Sequence, residues 1–150
     1  MNLQKFIATL SISLLPLQMV NAQAPTNPIT AAAAQEAGAV LTASGLVYRS
    51  LREGTGASPQ ATDRVKVHYR GTLPDGKEFD SSYQRNEAIE FRLNGVIKCW
   101  TEGVQKMKVG GKAKLTCPPA IAYGERGAGG VIPPNATLIF EVELLGINGK

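Results

Sequence analysis

The sequence contains little of what most enzymes use to form and break covalent bonds. Its 150 residues include one histidine and two cysteines. His68 would need a serine, cysteine or metal partner to act as a catalytic base, and no motif supplies one. The patterns of serine nucleophile elbows, HExxH zinc peptidases and phosphate-binding loops are also missing. We therefore expect His68 to be a structural strand residue, and we predict neither a metal site nor a cofactor.

Charges of one sign are not concentrated anywhere in the chain. The formal net charge of +4 comes from 16 basic and 12 acidic residues, which are scattered along the sequence. Proteins that bind nucleic acid usually present a basic face with interleaved aromatic residues. Because no such cluster is present, we predict no nucleic-acid partner.

The main apolar run of the chain is N-terminal and too short for a comfortable membrane span, which needs about 20 residues. Residues 6–20 are mostly apolar and follow the positive charge of Lys5. Small residues then offer cleavage sites after Ala22 or Ala24. This pattern predicts a secretory signal peptide at residues 1–22, and hence a periplasmic or secreted protein with no stable membrane insertion after signal removal. An N-terminal core helix is the alternative.

The segment that follows, residues 23–44, is rich in alanine and proline. It contains Pro25, Pro28, a run of four alanines and a single charge, Glu36. Such a composition cannot bury a core, and a short alanine helix is marginal in water. We predict a flexible arm with a frayed helix. A dimerisation helix is the alternative, but no heptad pattern supports it, so we expect a monomer.

Strand patterns dominate from residue 45 onward. Val65, Val67 and Tyr69 alternate with polar residues, which predicts one buried face. Asn94-Gly95 predicts a tight turn. The predicted strands cover residues 46–52, 65–70, 78–81, 91–93, 112–117 and 137–146.

One segment has helical periodicity instead. Trp100, Val104 and Met107 recur at spacings of four and three residues, which predicts a helix over residues 100–107. Thr101 and Glu102 give it a polar start. The pattern therefore predicts an α+β domain over residues 45–150, in which a single helix covers one face of an antiparallel sheet.

The two cysteines are placed so that they can meet. Cys99 lies near the start of the predicted helix and Cys117 ends the strand that returns from it. A helix followed by an antiparallel strand brings those ends together, and exported chains favour oxidised cysteines. We predict a Cys99–Cys117 disulfide, with two buried thiols as the alternative.

Aromatic residues gather in the same part of the chain without a nucleophile beside them, which indicates a pocket that works by shape and by excluding water. The nearby acids Asp75, Glu78 and Asp80 could suggest a glycosidase pair. Turn chemistry accounts for Asp75 and exposure for Glu78. Asp80 follows Phe79, and we expect it at the pocket.

Three long motifs resemble the FKBP-type peptidyl-prolyl cis-trans isomerases. They read VHYRGTLPDGKEFDSS, VIKCWTEGVQKMKVGGKAKL and AYG followed by IPPNATLIFEVELL, and the match covers residues 45–147. The opening SGLVYRSLREGTG is similar to exported bacterial members of the macrophage-infectivity-potentiator-like group. The resemblance implies an α+β half-barrel of about five strands around one short helix, with a proline pocket between helix and sheet.

The resemblance also implies roles for individual residues. Trp100 would form the pocket floor, and Asp80 and Tyr123 its polar rim, with Arg85 beside Asp80. The Tyr123 hydroxyl and the Ile97 backbone N–H would each donate to a substrate carbonyl. The remaining expected wall and substrate-binding residues are Tyr69, Phe79, Ile89, Val96, Ile97, Ile132 and Phe140.

Three positions depart from the small eukaryotic members of that family. Ile89 stands where many members have an aromatic wall residue, Ala128 replaces a bulkier loop residue, and the Asn94-Gly95 turn is two residues tighter. All three concern the rim, so we expect them to affect sequence preference and inhibitor affinity more than activity.

The function that this resemblance implies is isomerisation of X–Pro bonds during folding of exported proteins. The twisted transition state has lost amide resonance, and a dry aromatic pocket can favour it without proton transfer. Expected partners are proline-containing polypeptides and macrolide inhibitors such as rapamycin. The alternative is a non-catalytic chaperone or adhesion module that binds proline-containing segments in the same groove.

Overall fold

Seven antiparallel strands form one sheet in the part of the chain that the structure, a computed structural model, describes: residues 27–150. The predicted signal peptide, residues 1–22, lies outside this range. The spatial order of the strands is β1-β2-β6-β7-β3-β4, and β5 pairs with β3 beside this path. The strands are β1 (Ala39–Leu41), β2 (Val47–Arg52), β3 (Arg64–Thr72), β4 (Glu78–Ser81), β5 (Ile89–Arg92), β6 (Lys112–Cys117) and β7 (Leu138–Ile147).

Helices occupy less of the described chain. The α-helices are α1 (Pro28–Ala34) and α2 (Lys98–Gln105), and single 3₁₀ turns cover Leu93–Gly95 and Pro119–Ile121. No helix among residues 27–150 is long and apolar enough to cross a membrane. The predicted α+β class with an antiparallel sheet is confirmed, but the expected numbers of about five strands and one helix are too low.

β3 is the strand that brings the other elements to one place. Its alternation buries Val65, Val67 and Tyr69 on the inner face, as their spacing predicts. One edge of β3 pairs with β7 along its length. The other edge pairs first with β5 and then with β4, so Val67 lies opposite Ile89 and Gly71 opposite Asp80. Residues distant in the sequence therefore share one end of the sheet.

α2 packs on the inner face of the sheet with Trp100 and Val104 buried. It begins at Lys98, earlier than the apolar stripe predicts, because the Ile97 carbonyl already accepts from the amides of Trp100 (3.0 Å) and Thr101 (3.2 Å). The predicted polar start is therefore wrong: Thr101 and Glu102 lie inside the helix, and its first turn contains no acidic residue.

The segment before the first predicted strand is more ordered than the expected flexible arm. α1 begins after Asn27, whose side chain accepts from the Thr30 amide at 2.8 Å and so caps the helix. β1 extends the sheet by pairing with β2. Glu36, between α1 and β1, bonds to Arg49 at 2.8 Å and to Lys114 at 2.7 Å. These long-range contacts order a segment that has no core of its own.

The connection from β5 to α2 also differs from expectation. Leu93 is not a strand residue but opens the 3₁₀ turn Leu93–Gly95, and Asn94-Gly95 does not form a hairpin turn. Leu93 is fully buried and its amide bonds to the Asp63 carbonyl at 2.9 Å. This anchor ends β5, and the 3₁₀ turn leads the chain into α2.

The predicted disulfide is confirmed. Cys99 in the first turn of α2 is bonded to Cys117 at the end of β6, with Cα atoms 5.8 Å apart. Both residues are fully buried. The bond ties the start of the helix to the sheet on which it packs.

Candidate active site

A cavity of about 620 Å³ opens between the start of α2 and the sheet. Six stretches of chain surround it: β3, β4, β5 with the following turn, the start of α2, the loop that contains Tyr123, and β7. Its walls are mostly apolar. The lining residues are Tyr69, Phe79, Asp80, Ile89, Glu90, Phe91, Gly95, Val96, Ile97, Trp100, Tyr123 and Phe140.

Trp100 lies at the centre of the aromatic contacts and is only 5% exposed. Its ring centroid lies 5.1 Å from Tyr69, 5.2 Å from Phe140 and 5.4 Å from Phe91. Tyr69 and Phe140 both meet it edge to face, an arrangement favoured by the ring quadrupoles. The indole Nε1–H has no acceptor among the residues that the structure describes. The residue thus presents an apolar, rigidly held surface to the cavity.

A compact polar group lies at one side of this aromatic cluster. The Tyr69 hydroxyl donates to one carboxylate oxygen of Asp80, and Arg85 donates to the other at 2.5 Å. Arg85 also reaches the Tyr69 hydroxyl at 3.2 Å. The three side chains therefore hold one another in place at the cavity edge.

The pKa values of this group follow from its contacts. Burial alone would raise the pKa of Asp80, but hydrogen bonds from Tyr69 and Arg85 outweigh it, and the pKa lies below its usual range. Burial and the hydrogen bond to Asp80 raise the pKa of Tyr69. At neutral pH the site therefore carries an ionised Asp80 and a neutral phenol. Because the carboxylate is already bonded to two donors, it is poorly suited to proton transfer.

The start of α2 contributes a backbone donor to the cavity. Ile97 precedes the helix in a non-helical conformation, with φ −55° and ψ 147°. Among residues 27–150 no acceptor bonds to its N–H. Since Ile97 lines the cavity, the N–H is available near the apolar walls, and the positive end of the helix dipole lies beside it.

Tyr123 lies at the cavity mouth and is 41% exposed. Ile132, which the resemblance places with the substrate-binding residues, does not line the cavity. It is 8% exposed and exchanges backbone hydrogen bonds with Ala128, at 2.9 Å and 3.0 Å. Ile132 therefore closes the loop that follows Tyr123. Arg85 likewise does not line the cavity, and its contacts there are with Asp80 and Tyr69.

The sequence analysis missed two lining residues, Glu90 and Phe91, and its placement of the Asn94-Gly95 turn at the rim agrees with Gly95 lining the cavity. Phe91 supplies an aromatic wall on the strand where Ile89 departs from the family pattern. The signal was present in the sequence, because Ile89 and Phe91 are two residues apart and so face the same side of β5. Gly95 lines the cavity because Leu93–Gly95 is a 3₁₀ turn.

The other candidates lie elsewhere. His68 Nδ1 is 2.8 Å from Ser82 Oγ, and its ring stacks on Tyr83 with centroids 4.7 Å apart. The Asp75 carboxylate accepts from the Lys77 amide at 2.9 Å within a turn. The described residues contain no group of three or more His, Cys, Asp or Glu side chains that could hold a metal ion. The cavity thus offers aromatic surface, the carboxylates of Asp80 and Glu90, the Tyr123 hydroxyl and the Ile97 backbone N–H.

Comparison with known proteins agrees with this geometry. The FKBP-type peptidyl-prolyl cis-trans isomerase profile matches residues 56–145. FkpA, an FKBP-type isomerase of Escherichia coli K12, is 54% identical over 114 residues, which cover 76% of this chain and 42% of FkpA. FK506-binding protein 1 of Dictyostelium discoideum is 53% identical over 103 residues, which cover 67% of this chain and 96% of that protein.

A solved structure supports the same assignment. The crystal structure of Escherichia coli FkpA aligns with a TM-score of 0.76 at 52% identity, covering 79% of this chain and 55% of that one. The chain spans 42% of Escherichia coli FkpA and 43% of Aeromonas hydrophila FkpA, and so matches one part of those longer proteins. Since the profile matches more than half of the sequence, the chain belongs to the FKBP-type peptidyl-prolyl cis-trans isomerase family.

Proposed function

We propose that this protein catalyses cis–trans isomerisation of X–Pro peptide bonds in polypeptide substrates. The observation that carries the proposal is the composition of the cavity. Aromatic rings surround it, the hydroxyl of Tyr69 and the carboxylate of Asp80 are held in a mutual hydrogen bond, and none of the described residues that line it is a serine, cysteine or histidine. A site of this kind favours a reaction that needs no nucleophile and no proton transfer.

The reaction requires the amide to twist. Rotation about a peptide bond faces a barrier of about 18–20 kcal/mol because resonance is lost in the twisted state. That state is less polar than the planar amide, so transfer from water into an apolar cavity favours it over the ground state. The proline ring would lie on Trp100, which is flat, apolar and fixed by its aromatic neighbours.

Donors at the cavity edge would hold the peptide on either side of the proline. Ile97 and Tyr123 both line the cavity, and the Ile97 N–H and the Tyr123 hydroxyl would each donate to a substrate carbonyl. Phe79, Phe140, Ile89, Phe91 and Val96 would enclose the ring. Asp80, kept ionised by Tyr69 and Arg85, would act on the twisted amide electrostatically. Ile132 would act indirectly, by closing the loop that carries Tyr123.

A peptide assay tests this proposal. The interconversion rate of a short Xaa-Pro peptide is measured with the purified folded protein, with Trp100→Ala, and with added rapamycin. We expect acceleration by the wild type, inhibition by rapamycin, and a loss of about tenfold or more in kcat/KM for Trp100→Ala. Binding of the peptide without acceleration by a folded wild type would instead support a non-catalytic chaperone or adhesion module.

Location and assembly are part of the proposal. An exported, periplasmic or secreted protein would carry a signal peptide at residues 1–22, an alanine- and proline-rich segment through Ser44 and an isomerase domain at residues 45–150. A buried disulfide suits an oxidising compartment. Mass spectrometry of cell fractions should find an N-terminus at Gln23 or Pro25, and light scattering should find a monomer. An intact Met1 on a cytoplasmic protein would contradict export.

A further inference from the structure

α2 provides the cavity floor, yet its first turn lacks the usual stabilising features. No side chain caps the helix at Ile97, and no acidic residue lies in its first turn. Lys98 places a positive charge at the end where the helix dipole is already positive. The helix is eight residues long, and helices shorter than about 12 residues are marginal without tertiary contacts. Contacts with the rest of the protein must therefore hold this turn.

The rest of the helix has such contacts. The Thr101 hydroxyl donates to the Leu93 carbonyl at 2.8 Å. Gly103 packs so closely on Leu115 that an added Cβ would lie 2.8 Å from a Leu115 methyl group. Both contacts lie after Trp100. In the first turn, two kinds of contact cross from helix to sheet: the ring contacts of Trp100 with Tyr69 and Phe140, and the covalent link from Cys99 to Cys117.

Cys99 is adjacent in sequence to the floor residue Trp100 and two residues from the Ile97 donor. Its partner Cys117 is also close to the site, because the turn Pro119–Ile121 leads directly from it to Tyr123. We propose that the Cys99–Cys117 disulfide is a positioning element of the site, which replaces the missing helix cap and holds the Ile97 N–H and Trp100 in place. Isomerase activity therefore depends on the oxidation of this pair.

The absence of a cap and the presence of the disulfide fit together physically. A capping side chain would bond to the amides of the first turn and fill the space beside them. A tie through the Cys99 side chain holds the same turn from the sheet side and leaves the Ile97 N–H open to the cavity.

The reduction itself is simple thiol–disulfide exchange. A dithiol reductant supplies two electrons and two protons, the S–S bond breaks, Cys99 and Cys117 each become thiols, and the dithiol closes to its own disulfide. Both sulfurs are fully buried in the oxidised protein, so attack requires local opening of α2. We expect reduction of the folded protein to be slow and to accelerate with mild denaturant.

The experiment compares oxidised wild type, dithiol-reduced wild type and the Cys99→Ala/Cys117→Ala variant, all below their melting temperatures. We expect kcat/KM to fall about fivefold in the reduced and double-alanine proteins, because only part of the population has the floor in place. Leu144→Ala is the matched control: it removes a buried side chain from β7 at the opposite end from Phe140. It should lower the melting temperature while leaving kcat/KM within about twofold.

Three readouts are independent of turnover, which matters because the activity readout rests on the proposed function. Trp100 is the only tryptophan of the chain, so its fluorescence and its indole N–H signal report on the floor directly. The Ile97 amide signal reports on the donor. We expect all three to change or broaden in the reduced and double-alanine proteins and to persist in Leu144→Ala.

The outcomes separate the two ideas. If oxidised wild type does not accelerate X–Pro isomerisation, the proposed function fails, and the Trp100 and Ile97 signals still decide the positioning role. If the double-alanine variant keeps the wild-type Trp100 and Ile97 signals and the wild-type kcat/KM, the disulfide has no positioning role. An equal loss of activity in Leu144→Ala would also overturn that role, since the effect would then follow global stability. If the double-alanine variant does not fold, the reduced wild type, with two thiols confirmed by titration, gives the same comparison.

Discussion

Phe79 and Phe140 meet edge to face above Gly71, with ring centroids 5.6 Å apart and planes at 85°. A Cβ at Gly71 would lie 2.5 Å from Phe79 Cζ and 2.9 Å from Phe140 Cε1. Gly71 lies within β3 and has no positive φ, so this position requires glycine for space and not for backbone conformation. The missing side chain lets two walls of the cavity close on each other.

Gly71→Ala should therefore displace both rings. We expect kcat/KM for a proline peptide to fall about tenfold, and overpacking to destabilise the fold by about 1–3 kcal/mol. Activity assays below the melting temperature and denaturant unfolding measure the two effects separately. Lys66→Ala, on the exposed face of the same strand, should change neither. Full activity in a folded Gly71→Ala protein would show that the contact between Phe79 and Phe140 is unimportant for turnover.

The link between Asp80 and Arg85 predicts a pH dependence. Burial would raise the pKa of Asp80, but the bonds from Tyr69 and Arg85 lower it overall. For a carboxyl whose folded pKa is lowered, the stabilisation is fully present above the unfolded pKa. It is lost as the pH falls through the folded pKa. We therefore expect neither stability nor activity to respond to Asp80 at neutral or mildly acidic pH.

Arg85→Gln should raise the pH at which stability and activity begin to fall as Asp80 becomes protonated. The substitution removes a hydrogen bond and a positive charge while burial continues to raise the pKa. A carbon-detected NMR titration of the Asp80 carboxyl and the pH profile of kcat/KM both measure the change. Arg52→Gln, which breaks the pair with Glu143 outside the cavity, is the control and should leave that profile unchanged. An identical Asp80 titration in wild type and Arg85→Gln would refute the electrostatic assignment.

His68→Gln tests whether proton transfer takes part in turnover. His68 contacts Ser82 and Tyr83 and does not line the cavity. We expect kcat/KM within about twofold of wild type, and a loss of about 1 kcal/mol in unfolding free energy from the altered hydrogen bond. The peptide assay over a range of pH provides the measurement. Abolished turnover in a folded His68→Gln protein would contradict catalysis by desolvation.

Local patterns in the sequence predicted the elements that bury one face against the core. The alternation of Val65, Val67 and Tyr69 placed β3, and the stripe of Trp100 and Val104 placed α2, because burial of one face imposes that period. β1 (Ala39–Leu41) was missed because three residues are too few to show alternation. Its order comes from pairing with β2, which no local pattern reveals.

The site residues that could be predicted are those that match the family's motifs. Trp100, Tyr69 and Phe140 could be placed by resemblance, and all three line the cavity. Phe91 could not, since the resemblance pointed to the position of Ile89 for that wall. The start of α2 at Lys98 could not be predicted from the apolar spacing of Trp100 and Val104 either. It depends on the backbone of Ile97, whose apolar side chain gives no capping signal.

Gly103→Ala places two effects of known sign in competition. Alanine is favoured over glycine inside a helix by about 1 kcal/mol. A Cβ at Gly103, however, would lie 2.8 Å and 2.9 Å from the two methyl groups of Leu115, which is fully buried and has little room to move. Overpacking of this kind costs about 1–3 kcal/mol. We therefore expect Gly103→Ala to be less stable than wild type in denaturant unfolding.

The variant Leu115→Val tests whether contact with Leu115 is the reason that Gly103→Ala is destabilising. It removes part of the side chain that the new Cβ would strike, so the two substitutions should not be additive. We expect Gly103→Ala/Leu115→Val to be more stable than the sum of the single changes predicts, by about 1 kcal/mol in a double-mutant cycle. Additive effects, or a Gly103→Ala protein more stable than wild type, would mean that the close approach of α2 to β6 does not limit residue 103. In that case helix propensity alone would set the choice of residue there.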